Sequence, residues 1–226
     1  MMQMQVSSEK DNDNKNEVEQ SFKWYRDFFK RGFDIFFSLV AIIILAIPMM
    51  IIALWIKIDS PHEKVLFKQE RIGINNVPFT ILKFRSMRDD APHQMATENF
   101  ENPEMYITRV GKILRKTSLD ELPQLLNVLK GDMSIVGPRP LIPKEKYVLK
   151  LRDEYGANKI LPGITGLAQV HGRDQVTDEN KASYDGKYAL NVSLLLDASI
   201  IMKTVSDVVR SRGIREGGQV QNVGVN

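Results

Sequence analysis

Residues 35–56 read I-F-F-S-L-V-A-I-I-I-L-A-I-P-M-M-I-I-A-L-W-I, 22 positions without a charged side chain. At about 1.5 Å per residue, a helix of this length crosses the hydrocarbon core of a bilayer, about 30 Å thick. Core helices of soluble domains are rarely apolar on every face, so the segment is expected to enter a membrane. It starts too late for a secretory signal and lacks the small-residue cleavage site. Basic residues flank both ends: Lys23, Arg26, Lys30 and Arg31 before it, Lys57, Lys64 and Lys68 after it. The positive-inside rule therefore assigns both ends to the cytoplasmic side. Pro48, near the middle, cannot donate to the carbonyl of Ile44 and is a natural bend point. These features leave open both a hairpin that returns to the face it entered and a spanning helix with a tolerated proline.

The apolar stretch also divides the chain. Residues 1–22 are polar, rich in Asn, Asp, Glu and Lys, and carry too little apolar surface to offset the entropy of ordering, so a disordered tail is expected. Residues 23–58 form the membrane segment, 59–213 one folded domain with a core of ordinary size, and 214–226 a flexible tail. The absence of cysteine excludes disulfides, thiolate metal sites and cysteine nucleophiles. Three scattered histidines argue against a His-built zinc centre, which leaves a hard, oxygen-bound cation as the expected metal. Net charge is only +3, but it is unevenly spread. Between Lys64 and Arg88 six basic residues (Lys64, Lys68, Arg71, Lys83, Arg85 and Arg88) face a single acid, Glu70, and Arg109, Lys112, Arg115 and Lys116 follow with no acid among them. Such patches suit anionic headgroups, phosphorylated substrates or nucleic acid.

Local patterns fill in the domain. Residues 65–87 read as a β-hairpin turning around Gly73-Ile74-Asn75-Asn76, with Phe79, Ile81 and Lys83 on one face. Ile107, Val110, Ile113 and Leu114 recur at helical spacing opposite a basic face. A helix lying in the membrane interface and one packed on the core share that periodicity, and both remain open. A surface helix is expected from Lys144 to Tyr155, ending at Gly156, then a tight glycine-bearing loop from Leu161 to Asp174. A last helix is expected from Val192 to Arg212, with Leu195, Ala198, Ile201, Met202, Val205 and Val209 on its packed face.

The densest chemistry lies between Arg115 and Pro140, R-K-T-S-L-D-E-L-P-Q-L-L-N-V-L-K-G-D-M-S-I-V-G-P-R-P. Ser118 and Glu121 fit a capping box, in which Asp120 merely favours the helix dipole. Pro123 is awkward as the fifth residue of such a helix, and a start nearer Leu122 leaves Asp120 and Glu121 just outside, beside a positive helix end. Pattern alone decides neither capping nor catalysis.

This stretch resembles the signature of the monotopic phosphoglycosyl transferases, the bacterial sugar transferase family that starts envelope glycans on a polyprenyl phosphate. The likeness extends from about Lys30 to Asp197. It takes in Lys30-Arg31-x-Phe33-Asp34 before the apolar segment, K-F-R-S-M after the hairpin, P-G-I-T-G-L-A-Q-V-H-G-R with His171 in place of the usual Asn, and Tyr184-Asp185-Gly186-Lys187-Tyr188. Ile47 stands where family members commonly carry Ser before the proline.

The resemblance implies an α+β, mainly helical monotopic membrane protein, with a re-entrant helix-break-helix at its N-terminus, a β-hairpin and interfacial amphipathic helices. Asp120 inherits the role of nucleophile, forming a covalent phosphosugar intermediate, and Glu121 helps to hold Mg2+. Arg139, stiffened between two prolines, is a phosphate anchor, because a guanidinium binds phosphate bidentately. Arg85, Lys30 and Arg31 are further phosphate-binding candidates, and Gln169, Arg173, Asp185 and Tyr188 further site candidates. The implied substrates are a UDP-sugar and undecaprenyl or another polyprenyl phosphate. The expected location is the cytoplasmic face of the bacterial inner membrane, in contact with lipid and without a nucleic acid partner. A membrane-anchored adaptor and a glycosyl transferase that releases UDP are the competing readings.

Overall fold

The computed structural model describes residues 25–91, 103–172 and 176–210. The tail at 1–22, the tail at 214–226 and Arg173 lie outside the described residues.

A π-helical turn, Tyr25–Phe29, leads into α1, Lys30–Asp59. Among the described residues α1 is the one helix long and apolar enough to cross a membrane. Its middle is bare, with Ile43, Ile44, Ile47, Met50, Ile51 and Leu54 each 61–68% exposed. Both ends, by contrast, are docked on the same body. Near the start, the Arg31 guanidinium donates to the carbonyls of Val128 (2.7 Å) and Leu129 (3.1 Å), and Asp34 accepts from the Ile135 amide (3.0 Å). Near the end, Ile52 and Ile56 are buried with Phe84, Val110 and Leu114, and Asp59 accepts from the Val110 amide (3.4 Å). Pro48 lies inside this helix rather than at a break between two helices. A proline removes one backbone bond, and the turns on either side of it stay hydrogen-bonded.

The hairpin forms as its alternation predicts. β1, Leu66–Ile72, pairs antiparallel with β2, Pro78–Phe84, in the register Gln69 to Ile81. Asn75 and Asn76 take the left-handed backbone of the turn, a conformation Asn tolerates. Next come α2, Arg109–Lys116, a 3-10 turn at Leu119–Glu121, and α3, Gln124–Lys130. Val110 and Leu114 of α2 belong to the core shared with α1 and β2, and Ile113 alone of its stripe is 45% exposed. Core packing, more than a lipid interface, therefore covers this helix.

Two short parallel strands, β3 (Ser134–Val136) and β4 (Gly163–Thr165), bring the G-P-R-P and P-G-I-T-G stretches together. Side chains are excluded at their crossing, since a Cβ on Gly163 would lie 2.1 Å from the Gly137 amide nitrogen. The remaining α-helices among the described residues are α4 (Lys146–Glu154), α5 (Leu167–Val170), α6 (Asp178–Leu190) and α7 (Leu194–Val209). Mostly helical, with two two-stranded sheets among the described residues, the chain is α+β.

The last helix corrects an expectation. Leu195, Met202 and Val209 are 73–83% exposed, and Asp197 and Ile200 are buried instead. Asp197 is drawn inward by three donors: Lys30 (2.6 Å), Tyr25 (3.0 Å) and Tyr188 (2.7 Å).

Candidate active site

The site is built on α3, and Asn127 fixes that helix to the hairpin. Its side-chain amide accepts from the Leu82 amide (2.9 Å) and donates to the Thr80 carbonyl (2.7 Å), satisfying the open edge of β2 as another strand would. Gly131, at a φ of 100°, ends the helix in the left-handed conformation that glycine adopts without strain. At the other end, Pro123 precedes the first helical residue, and Asp120 and Glu121 occupy the 3-10 turn just before it. Ser118 makes no side-chain cap and sits at a φ of 56°, so the capping box does not form. A serine in the left-handed region is uncommon, and this one lies two residues before Asp120.

The two carboxyls differ. Asp120 is 7% exposed. Burial pushes its carboxyl up to about 6, against the opposing pull of Lys83 and Arg115, while neighbouring Glu121 adds to the rise. Glu121 is more open and pairs with Lys83 Nζ at 2.8 Å, with Arg139 Nη1 3.8 Å away. Lys83 thus serves both acids at once. Strand alternation puts Lys83 on the same face as Ile81, but neither its partner nor the proximity of Arg115 was legible in the sequence.

Glu121 opens onto a narrow cleft whose walls include Arg71, Lys83, Gln124, Arg139 and Ile164. Arg139 reaches this wall through a relay of backbone contacts. Pro138 accepts from the Gly163 amide (2.8 Å), and the Arg139 carbonyl accepts from Arg152 (2.8 Å). Arg152 is itself held by Asp185 at 2.5 Å, with both side chains buried. Opposite, Arg71 is fixed by Gln69 (2.6 Å) and the Pro140 carbonyl (3.1 Å). Burial, then the charge of Arg139, lowers the Arg71 guanidinium to about 10, so it remains a cation at neutral pH. Two guanidiniums facing a lysine and a carboxylate make a surface suited to a polyanion such as a diphosphate.

Several other candidates are structural in this fold. Arg85 is buried, and its guanidinium is taken by the Lys64 carbonyl (2.6 Å) and by Asp89, so it does not face the cleft. Lys30 and Arg31 are engaged by Asp197 and by the end of α3, and so tie α1 to the domain. Asp185 neutralises Arg152, and burial raises its carboxyl. Tyr188 donates to Asp197 and the Val136 carbonyl (3.0 Å), and burial raises its hydroxyl pKa. Gln169 donates to the Ile164 carbonyl (3.0 Å) and shapes the loop behind the cleft wall. His171 stacks on Tyr184 at 4.7 Å.

No cluster of three or more acidic or histidine ligands occurs among the described residues. The two adjacent carboxyls suit Mg2+, which usually keeps waters and binds one or two carboxylates together with substrate phosphates.

Residues 25–211 match the family described as bacterial sugar transferase. The chain is 43% identical over 165 residues to the uncharacterized sugar transferase EpsL of Bacillus subtilis, covering 73% of this chain and 78% of that one. It is also 43% identical over 195 residues to the exopolysaccharide production protein PSS of Rhizobium leguminosarum, covering 81% and 97%. A third relative is the UDP-glucose:undecaprenyl-phosphate glucose-1-phosphate transferase of Escherichia coli, 38% identical over 183 residues. That match covers 78% of this chain but 39% of the longer relative.

Proposed function

Because this chain belongs to the bacterial sugar transferase family and is a phosphoglycosyl transferase, we propose that it moves a sugar 1-phosphate from a UDP-sugar to undecaprenyl phosphate, an early membrane step in exopolysaccharide synthesis. The observation that carries this reading is Glu121 on the wall of a cleft shared with Arg71 and Arg139, with the buried Asp120 next to it in the same 3-10 turn. An Asp120 carboxylate oxygen attacks the sugar-bearing phosphorus. The bond from that phosphorus to the bridging oxygen breaks, and UMP leaves with the electron pair. An oxygen of the polyprenyl phosphate then attacks the same phosphorus, the bond to Asp120 breaks, and the carboxylate is regenerated. Arg139 and Arg71 hold the phosphoryl oxygens, and Lys83 keeps the two acids from repelling each other. Mg2+ held by Asp120 or Glu121 and the donor phosphates would supply further charge neutralisation.

The docking of both ends of α1 on one body supports a re-entrant helix. A straight helix of this length runs about 45 Å, and a body lying on one side of a bilayer cannot cover both ends of a helix that crosses it. The catalytic domain then faces the cytoplasm, at the level where a bilayer-bound lipid phosphate meets a soluble nucleotide. The test is the nucleotide released when the protein in nanodiscs receives polyprenyl phosphate, Mg2+ and a panel of UDP-sugars. UMP is expected; UDP, the product of attack at the sugar carbon, would overturn the assignment.

A further inference from the structure

Gln124 has no place in the chemistry described so far, yet it is among the most buried polar residues of the protein. It is 2% exposed and lines the cleft, and among the described residues its side-chain amide has no hydrogen-bond partner. An amide without a protein partner on the wall of a cleft is open to a bound group. Gln124 opens α3, three residues after Glu121 and four after Asp120, the spacing that brings side chains to one side of a helical backbone. The cations Arg139 and Arg71 line the same cleft.

The geometry points to a ligand that is anionic on one side and polar but uncharged on the other: we infer that the Gln124 amide binds a hydroxyl of the sugar next to the transferred phosphate. An amide offers both a donor and an acceptor, as a hydroxyl does, whereas a phosphoryl oxygen would leave the amide's acceptor unused. Gln124 is accordingly a specificity-determining contact to the phosphosugar half of the donor.

This inference rests on the phosphosugar-transfer reading, and the experiment separates the two. The probes are glucose 1-phosphate, galactose 1-phosphate and UMP, each titrated by calorimetry against wild type, Gln124→Leu and Gln124→Ala in nanodiscs, with UMP release from UDP-sugars followed in parallel. Gln124→Leu keeps the volume, so its Tm should stay close to that of wild type. Affinity for the preferred sugar phosphate should fall about three- to ten-fold, the range expected for one neutral hydrogen bond, while UMP affinity stays unchanged. Gln124→Ala should lose the same affinity, with some loss of stability. If wild type releases UMP but both variants bind sugar phosphates as wild type does, the inference fails and the transfer reading stands. Weakened UMP binding, no binding of either sugar phosphate to wild type, or a fall in Tm for Gln124→Leu without a change in affinity also overturns it. Wild type that releases UDP defeats the transfer reading itself.

Discussion

Asp120 lies where a carboxylate is uncomfortable: burial holds its carboxyl near 6, although Lys83 and Arg115 pull the other way. Its folded pKa lies above its unfolded value of 3.8. Below both values it is protonated in either state and has no effect on stability. As pH rises through that interval, the unfolded chain ionises first, and above about 6 the fold carries a penalty of roughly 3 kcal/mol. Asp120→Asn should therefore raise Tm by several degrees at pH 7.5, make no difference near pH 3.5, and abolish turnover. Thermal unfolding at the two pH values checks this, and a neutral-pH variant less stable than wild type would contradict the burial account. The adjacency of Asp120 and Glu121 was legible in the sequence, as was Arg139 between its prolines. Lys83, Arg71 and Gln124 were not, because their approach depends on how the hairpin lies against α3.

At the scale of elements, periodicity named the stripes but not what covers them. The hairpin was legible because alternation and an Asn-rich turn agree, and α3 because Pro123 and Gly131 bracket it. On α7 the apolar stripe was read as packed, yet the fold buries the opposite side through Asp197, whose donors Lys30, Tyr25 and Tyr188 are remote in sequence. The same pairing turns Lys30 from a phosphate candidate into a clamp between α1 and α7. Lys30→Met leaves a buried carboxylate without its counter-ion, which should cost roughly 3–5 kcal/mol. Thermal stability should fall accordingly while KM for both substrates in the folded fraction is unchanged. A raised KM for polyprenyl phosphate at wild-type stability would restore Lys30 as a ligand.

For the whole molecule, the decisive arrangement is an apolar helix with a bare middle and two docked ends, beside a cationic cleft onto which Glu121 opens. The absence of native cysteine allows its topology to be read directly. Single cysteines at Arg26 and Lys150 should both resist an impermeant thiol reagent in intact cells and react after lysis; labelling of the Arg26 variant alone in intact cells would establish a spanning helix. The covalent route through Asp120 is tested most directly by a single quench-flow measurement. Enzyme, Mg2+ and the preferred UDP-sugar are mixed without polyprenyl phosphate, and UMP is counted against enzyme. A burst of UMP approaching one per enzyme molecule, absent from Asp120→Asn, is the predicted result. UMP that appears only when the lipid phosphate is added would contradict an aspartyl-phosphosugar intermediate.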